Sequence, residues 1–195
     1  MKSIWDERYS KAEYIYGKEP NEFFKKEIIK LEPGKILLPA EGEGRNAVFA
    51  AKLGWDVYAF DSSIEAKKKA VKLAAENKVN INYQIQQFEE IDYPNEYFDF
   101  IGLFYAHNQN RSENHKKLIM NLKKRGIIVL EGFSKEQINF NSGGPQKIEM
   151  LFSIEELKFD FAQLSNLEIQ EKIIFLNEGN QHLGSASVIN LIGIR

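Results

Sequence analysis

The 195-residue chain sets 26 lysines and arginines against 28 aspartates and glutamates, a formal charge of −2, and 43% of its residues are hydrophobic. That apolar fraction supplies a core without covalent staples. The even charge balance offers no broad electropositive field to a nucleic-acid backbone or an anionic membrane, and the absence of cysteine removes disulfides, thiolate metal sites and cysteine nucleophiles.

The start, Met1-Lys-Ser-Ile-Trp5, lacks the apolar centre of a secretory signal, and no uncharged apolar stretch reaches bilayer length. A soluble, cytoplasmic protein of one domain over 1–195 is expected. Its first thirty positions read as a helical and aromatic region carrying Trp5, Tyr9, Tyr14 and Tyr16.

A helix over Asn21–Lys30, ended by Pro33-Gly34, precedes the apolar run Ile36-Leu37-Leu38, a buried strand that stops at Pro39. Arg45–Leu53 is apolar around most of its circumference and closes at Gly54, as a helix pressed on a sheet does. Trp55–Phe60 follows as a strand. Ala66, Ala70, Leu73 and Ala74 then share one helical face, which leaves Lys67, Lys68, Lys69 and Lys72 solvated.

Strands are expected at Ile81–Gln86, Phe98–Tyr105 and Gly126–Phe133, with a helix over Asn114–Lys124 between the last two. Asn139–Gln146 reads as a surface loop, and Ser153 with Glu156 forms a capping box that starts a helix reaching about Leu164. Two final strands flank an Asn177–Gly184 turn region. The alternation predicts an α/β fold: a Rossmann-like three-layer α/β/α sandwich on a mostly parallel seven-stranded sheet, closed by an antiparallel C-terminal hairpin. Ligands of such sheets lie at the carboxyl ends of the strands.

The first of those ends carries Pro39-Ala-Glu-Gly-Glu-Gly-Arg-Asn46, in which Gly42 and Gly44 let a ligand approach the main chain. Asp61 ends the next strand, where a carboxylate accepts two hydrogen bonds from the vicinal hydroxyls of a ribose. Strand, glycine turn, apolar helix, strand and acid in this order point to an adenosine-type cofactor. Gly42-Glu-Gly-Arg-Asn-Ala47 also satisfies a G-x-G-x-x-A dinucleotide motif, so the motif by itself leaves a nicotinamide cofactor open.

With these motifs the chain resembles the class I S-adenosylmethionine-dependent methyltransferases, and within them the tellurite-resistance and thiopurine methyltransferase-like group. The resemblance rests on Trp5-Asp-Glu-Arg-Tyr9, Glu41-Gly-Glu-Gly-Arg-Asn-Ala47 and Asp61-Ser62, with a less diagnostic Asn177-Glu-Gly-Asn-Gln-His182-Leu-Gly184. It implies that the loop of Ala40, Glu41, Gly42 and Gly44 holds the amino-acid end of S-adenosylmethionine. Asp61 with Ser62 takes the ribose, Gln87 and Phe88 border the adenine, and Phe104 closes the fourth strand beside it. The N-terminal aromatics, Tyr9 among them, fold over the site as a partial lid. Leu38 stands where the family often has an acid and Ala40 where it often has its first glycine; Glu41 is a substitute contact for the cofactor's ammonium.

Methyl transfer from a sulfonium is an in-line displacement dominated by positioning. A hydroxyl or ammonium acceptor must also lose a proton, a task suited to histidine. His107, just past the fourth strand, is the first candidate for acceptor contact or base, and His182, in the late turn region, is the second. The acceptor is expected to be a small molecule. Phe104-Tyr-Ala-His107 is not the Asn-Pro-Pro-Tyr pattern used on base amino groups, and no hard-metal cluster is apparent. The alternatives are a nicotinamide-dependent oxidoreductase and a non-catalytic adenosine-ligand sensor.

Overall fold

The computed structural model describes residues 3–195; the first two positions of the aromatic N-terminal region lie outside the described residues. Seven strands form one sheet in the order β3-β2-β1-β4-β5-β7-β6. They are β1 (Lys35–Pro39), β2 (Asp56–Asp61), β3 (Asn82–Ile85), β4 (Phe98–Phe104), β5 (Leu122–Phe133), β6 (Ser165–Glu178) and β7 (His182–Ile194). The first five run parallel, while β7 pairs antiparallel with both β5 and β6. The expected fold class is the one observed.

Among the described residues six α-helices accompany the sheet: α1 (Ile4–Tyr9), α2 (Glu22–Ile28), α3 (Arg45–Lys52), α4 (Ile64–Glu76), α5 (Arg111–Asn121) and α6 (Ile154–Asp160). Leu37 of β1 packs with Leu118, Leu157 and Phe161 of α5 and α6 and their surroundings, whereas Ile36 and Leu38 join Phe24, Ile28, Ala47 and Ala50 of α2 and α3. Burial on both faces is why the strand reads as an uninterrupted apolar run rather than an alternating one.

The helix boundaries follow local chemistry. Asn21 caps α2 by accepting from the Phe24 N–H, and the Ser153/Glu156 capping box starts α6 as expected. Ala66, Ala70, Leu73 and Ala74 are the buried residues of α4, also as expected. The helix expected to reach Lys124 instead ends at Asn121, because Leu122 already pairs with Phe98 and begins a longer β5. α6 stops at Asp160, short of Leu164. No helix of the described residues is long and apolar enough to cross a membrane.

Candidate active site

The glycine loop leaves β1 through Ala40, which takes a left-handed φ of 50°, and continues through Gly42 (66°) and Gly44 (88°). Only glycine occupies that region without a steric cost, so Ala40 stands where the backbone asks for glycine. Gly44 meets a tighter demand: a Cβ there would lie 2.6 Å from the Cβ of Ala70, so the residue lets α3 start directly against α4.

Asp61 sits at the carboxyl end of β2, 7% exposed, with Oδ2 accepting from the Gly42 N–H at 3.1 Å and Oδ1 from the Ser63 N–H at 2.9 Å. Burial pushes its carboxyl up to about 6 against the pull of those backbone donors. Glu41 turns back to accept from the Ala47 N–H at 2.7 Å, and burial raises it to about 7. It therefore caps the start of α3 and is not extended toward a ligand ammonium.

α1 covers this loop. A Cβ on Gly42 would lie 2.8 Å from the Tyr9 hydroxyl, Trp5 stacks on Tyr9 with ring centroids 5.7 Å apart, and the Ser63 hydroxyl donates to Asp6 at 2.6 Å. Glu43 ties the following segment down, accepting from the Ile15 N–H and from Lys69 Nζ, both at 2.7 Å. Lys69 is thus a half-buried tether and not one of the solvated lysines its spacing suggested. The carboxylate between two glycines was the readable sign of Glu43's role.

The other expected cofactor contacts divide. Ser62 is exposed, and the neighbouring Ser63 carries the buried hydroxyl. Gln87 is exposed, with its N–H donating to Glu90. The Phe88 ring is committed to the core against Phe60, 5.5 Å between centroids, and the Phe104 ring to Phe24, 5.1 Å, so neither ring is available to an adenine. Gln86, which sequence reasoning passed over, has a buried Oε1 without a hydrogen-bond partner, and its N–H donates to the Asp61 carbonyl.

His107 does not serve as a base. Its Nδ1 is bound to the Met150 carbonyl at 2.8 Å, its Nε2 accepts from the Phe133 N–H at 3.1 Å, and the ring lies stacked on Phe152. With both nitrogens engaged and burial pulling it down to about 4, it joins the ends of β4 and β5 as a neutral structural residue.

His182 is placed differently. It opens β7 past the carboxyl end of β5, among the rings of Tyr16 at 4.5 Å and Tyr105 at 4.6 Å. Its Nδ1 meets Glu178 at 3.2 Å. Burial holds it below the ordinary histidine range despite Glu178, which leaves the ring neutral near pH 7. Burial opposes ionisation of Glu178 too, yet the hydrogen bond from His182 and the Arg45 guanidinium at 2.9 Å draw it down to about 2. The turn joining β6 to β7 presses on the N-terminal segment at Gly179 (φ 64°), whose Cα lies too close to the Ile15 carbonyl for any side chain.

Tyr105 completes this end. It holds a strained left-handed φ of 55°, fixed by its N–H on the Glu131 carbonyl at 2.7 Å and its hydroxyl on the Glu131 carboxylate at 2.9 Å. Asn21 and Asn190 donate to the same carboxylate at 2.6 and 2.8 Å. Glu131 could have been found as the one charge inside the apolar Gly126–Phe133 strand. Glu178 and Asn190 carry no such signal, because only the hairpin register brings them here.

In comparison with known proteins, residues 36–126 match the family model described as a methyltransferase domain. Over that stretch the chain is similar to methyltransferase domains. The match spans β1 to the early part of β5, and so includes the glycine loop and Asp61. No curated protein matches the chain.

Among solved structures, one reported for the conversion of a disulfide bond into a thioacetal group during echinomycin biosynthesis is similar at 15% identity and a TM-score of 0.78, over 98% of this chain and 90% of that one. TehB from Haemophilus influenzae is similar at 16% identity and 0.73, over 98% of this chain and 65% of its own. An S-adenosylmethionine-dependent methyltransferase from Methanosarcina mazei is similar at 17% and 0.68, over 91% and 98%. These likenesses show a shared fold across nearly all of the chain.

Proposed function

We propose that the crevice between the glycine loop and Asp61 binds S-adenosylmethionine, and that the enzyme passes its methyl group to a small-molecule acceptor at the Tyr105–His182 end of the same sheet edge. Asp61 carries the reading. It is a buried carboxylate held by two backbone N–H groups and no cation among the described residues, and each oxygen keeps an acceptor direction for a ribose hydroxyl. The orphaned Oε1 of Gln86 is a second acceptor suited to a nucleoside N–H or O–H. The Tyr9 hydroxyl, lying over Gly42, is the matching polar group on the lid side.

When bound, the cofactor supplies an electrophilic methyl group for in-line displacement, with no covalent enzyme intermediate. Gly42 and Gly44 keep the loop backbone open to it, Asp61 orients the nucleoside, and the main chain around Gln87 and Phe88 borders its base. Glu178 holds His182 through Nδ1, leaving Nε2 to take a proton from a hydroxyl or ammonium acceptor. The same reading sets the protein, as one cytoplasmic domain, beside the tellurite-resistance and thiopurine methyltransferase-like group.

Titration calorimetry with S-adenosylmethionine, S-adenosylhomocysteine and NAD in parallel tests the assignment. The first two bind the wild-type chain, and Asp61→Ala weakens them at least a hundredfold. Preferential NAD binding, or binding untouched by the substitution, overturns it.

A further inference from the structure

A groove of about 1390 Å³ runs between α2 and the β6–β7 hairpin. Its walls include Phe23, Ile174, Leu176 and Ile192, and its inner end, at the active-site edge, is lined by Glu131 and Asn190. Apolar side chains alternate along it with charged ones, among them Glu22, Lys26, Lys30 and Lys172, and it ends in buried polar groups, the form of a site for an amphipathic ligand with a polar head.

The head group is defined by what the inner end lacks. Glu131 is 3% exposed, and its three side-chain donors, from Asn21, Tyr105 and Asn190, are all neutral. No lysine, arginine or histidine forms an ion pair with it among the described residues. Its neighbour Glu178 has Arg45 instead. A buried carboxylate without a cation is expensive unless a ligand brings one. Asn190, 6% exposed, donates its Nδ2 to Glu131 and leaves its Oδ1 buried without a partner. A carboxyl group held only by neutral donors and one unused carbonyl, side by side, match the N–H donors of a primary ammonium. Farther out, Lys30 is paired with Glu27 and Lys172 lies over the Phe23 ring, while Lys26, also on the outer wall, forms no ion pair among the described residues.

We infer that the inner end of this groove binds the ammonium group of the methyl acceptor through Glu131 and Asn190, making the substrates amines with an apolar or aromatic body along α2 and the hairpin. The inference rests on the methyl-transfer reading above, because it names the acceptor class for that site.

Binding of 2-phenylethylamine, 2-phenylethanol and 3-phenylpropionate to the full chain, followed by chemical-shift perturbation with and without S-adenosylhomocysteine, tests it. The amine binds at least tenfold more tightly than the alcohol, the carboxylate binds weakest, and resonances of Glu131 and Asn190 move. Glu131→Gln removes the amine preference while S-adenosylhomocysteine still binds. Equal binding of amine and alcohol, or no amine binding, overturns the inference even though the cofactor product binds. Failure of S-adenosylhomocysteine to bind strikes the methyl-transfer reading and the amine's role as substrate together. The wild-type amine-to-alcohol ratio decides the point even where Glu131→Gln does not fold.

Discussion

The two ends of the strand-terminal edge handle buried carboxylates in opposite ways. At the glycine loop, Glu41 and Asp61 are held by backbone N–H groups, and burial lifts them to about 7 and about 6. At the hairpin, Glu178 is held by Arg45 and His182 and falls to about 2. The first end is short of partners in the chain itself, as a place waiting for ligand hydroxyls is. The second is preorganised by side chains before anything binds, as a proton-accepting end must be.

The hairpin end breaks hardest. Glu178→Ala leaves Arg45 buried with only the Tyr16 carbonyl and strips His182 of its Nδ1 partner. A loss of about 3–5 kcal/mol is expected from removing one member of a buried pair, read as a fall in the urea midpoint at constant slope. An unchanged midpoint would mean that the pair is solvated and the contrast false.

Next in size is Gly44→Ala, which forces a methyl group into Ala70 at a left-handed φ of 88°. Overpacking with backbone strain costs about 3 kcal/mol, measurable in the same unfolding experiment, and separates α3 from α4 below the cofactor loop.

The loop carboxylates respond to pH. Because the folded chain holds the protons of Asp61 and Glu41 more tightly than the unfolded chain does, their contribution to stability is complete below about pH 4. It is lost as pH rises through about 6 and then about 7. Glu41→Gln keeps an acceptor for the Ala47 N–H and no longer ionises. The variant should equal wild type near pH 4 and exceed it by about 3 kcal/mol at pH 8. A constant difference at both values would contradict the assigned shift.

The smallest effect is a gain. Ala40→Gly relieves a left-handed alanine at φ 50° and should stabilise the chain by about 1 kcal/mol, detected as a rise of a few degrees in Tm. No change would mean that Ala40 bears no strain.

Most of the fold was legible because its signals are local. The run Ile36-Leu37-Leu38, the alanine face of α4 and the Ser153/Glu156 box each state their own structure within a few residues. The glycine loop and Asp61 were legible for the same reason, being consecutive parts of one βαβ unit. The hairpin end was not: Glu131, Glu178 and Asn190 meet through the β5-β7-β6 register, and Asn21 and Arg45 reach them from the starts of α2 and α3. His107 misled because a histidine at a strand end looks available. Only the Met150 carbonyl and the Phe133 N–H, 43 and 26 residues away, show it engaged. The start of β5 at Leu122 was hidden likewise, since pairing with Phe98 overrides a helical spacing that extends to Lys124.

A crystal structure with S-adenosylhomocysteine tests the central claim most directly. The account predicts the ribose hydroxyls on the Asp61 carboxylate, the amino-acid end along the Gly42–Gly44 backbone, and the Tyr9 ring displaced from its present place over Gly42. Nucleoside density away from Asp61, or a crevice still filled by Tyr9 at saturating ligand, would contradict it.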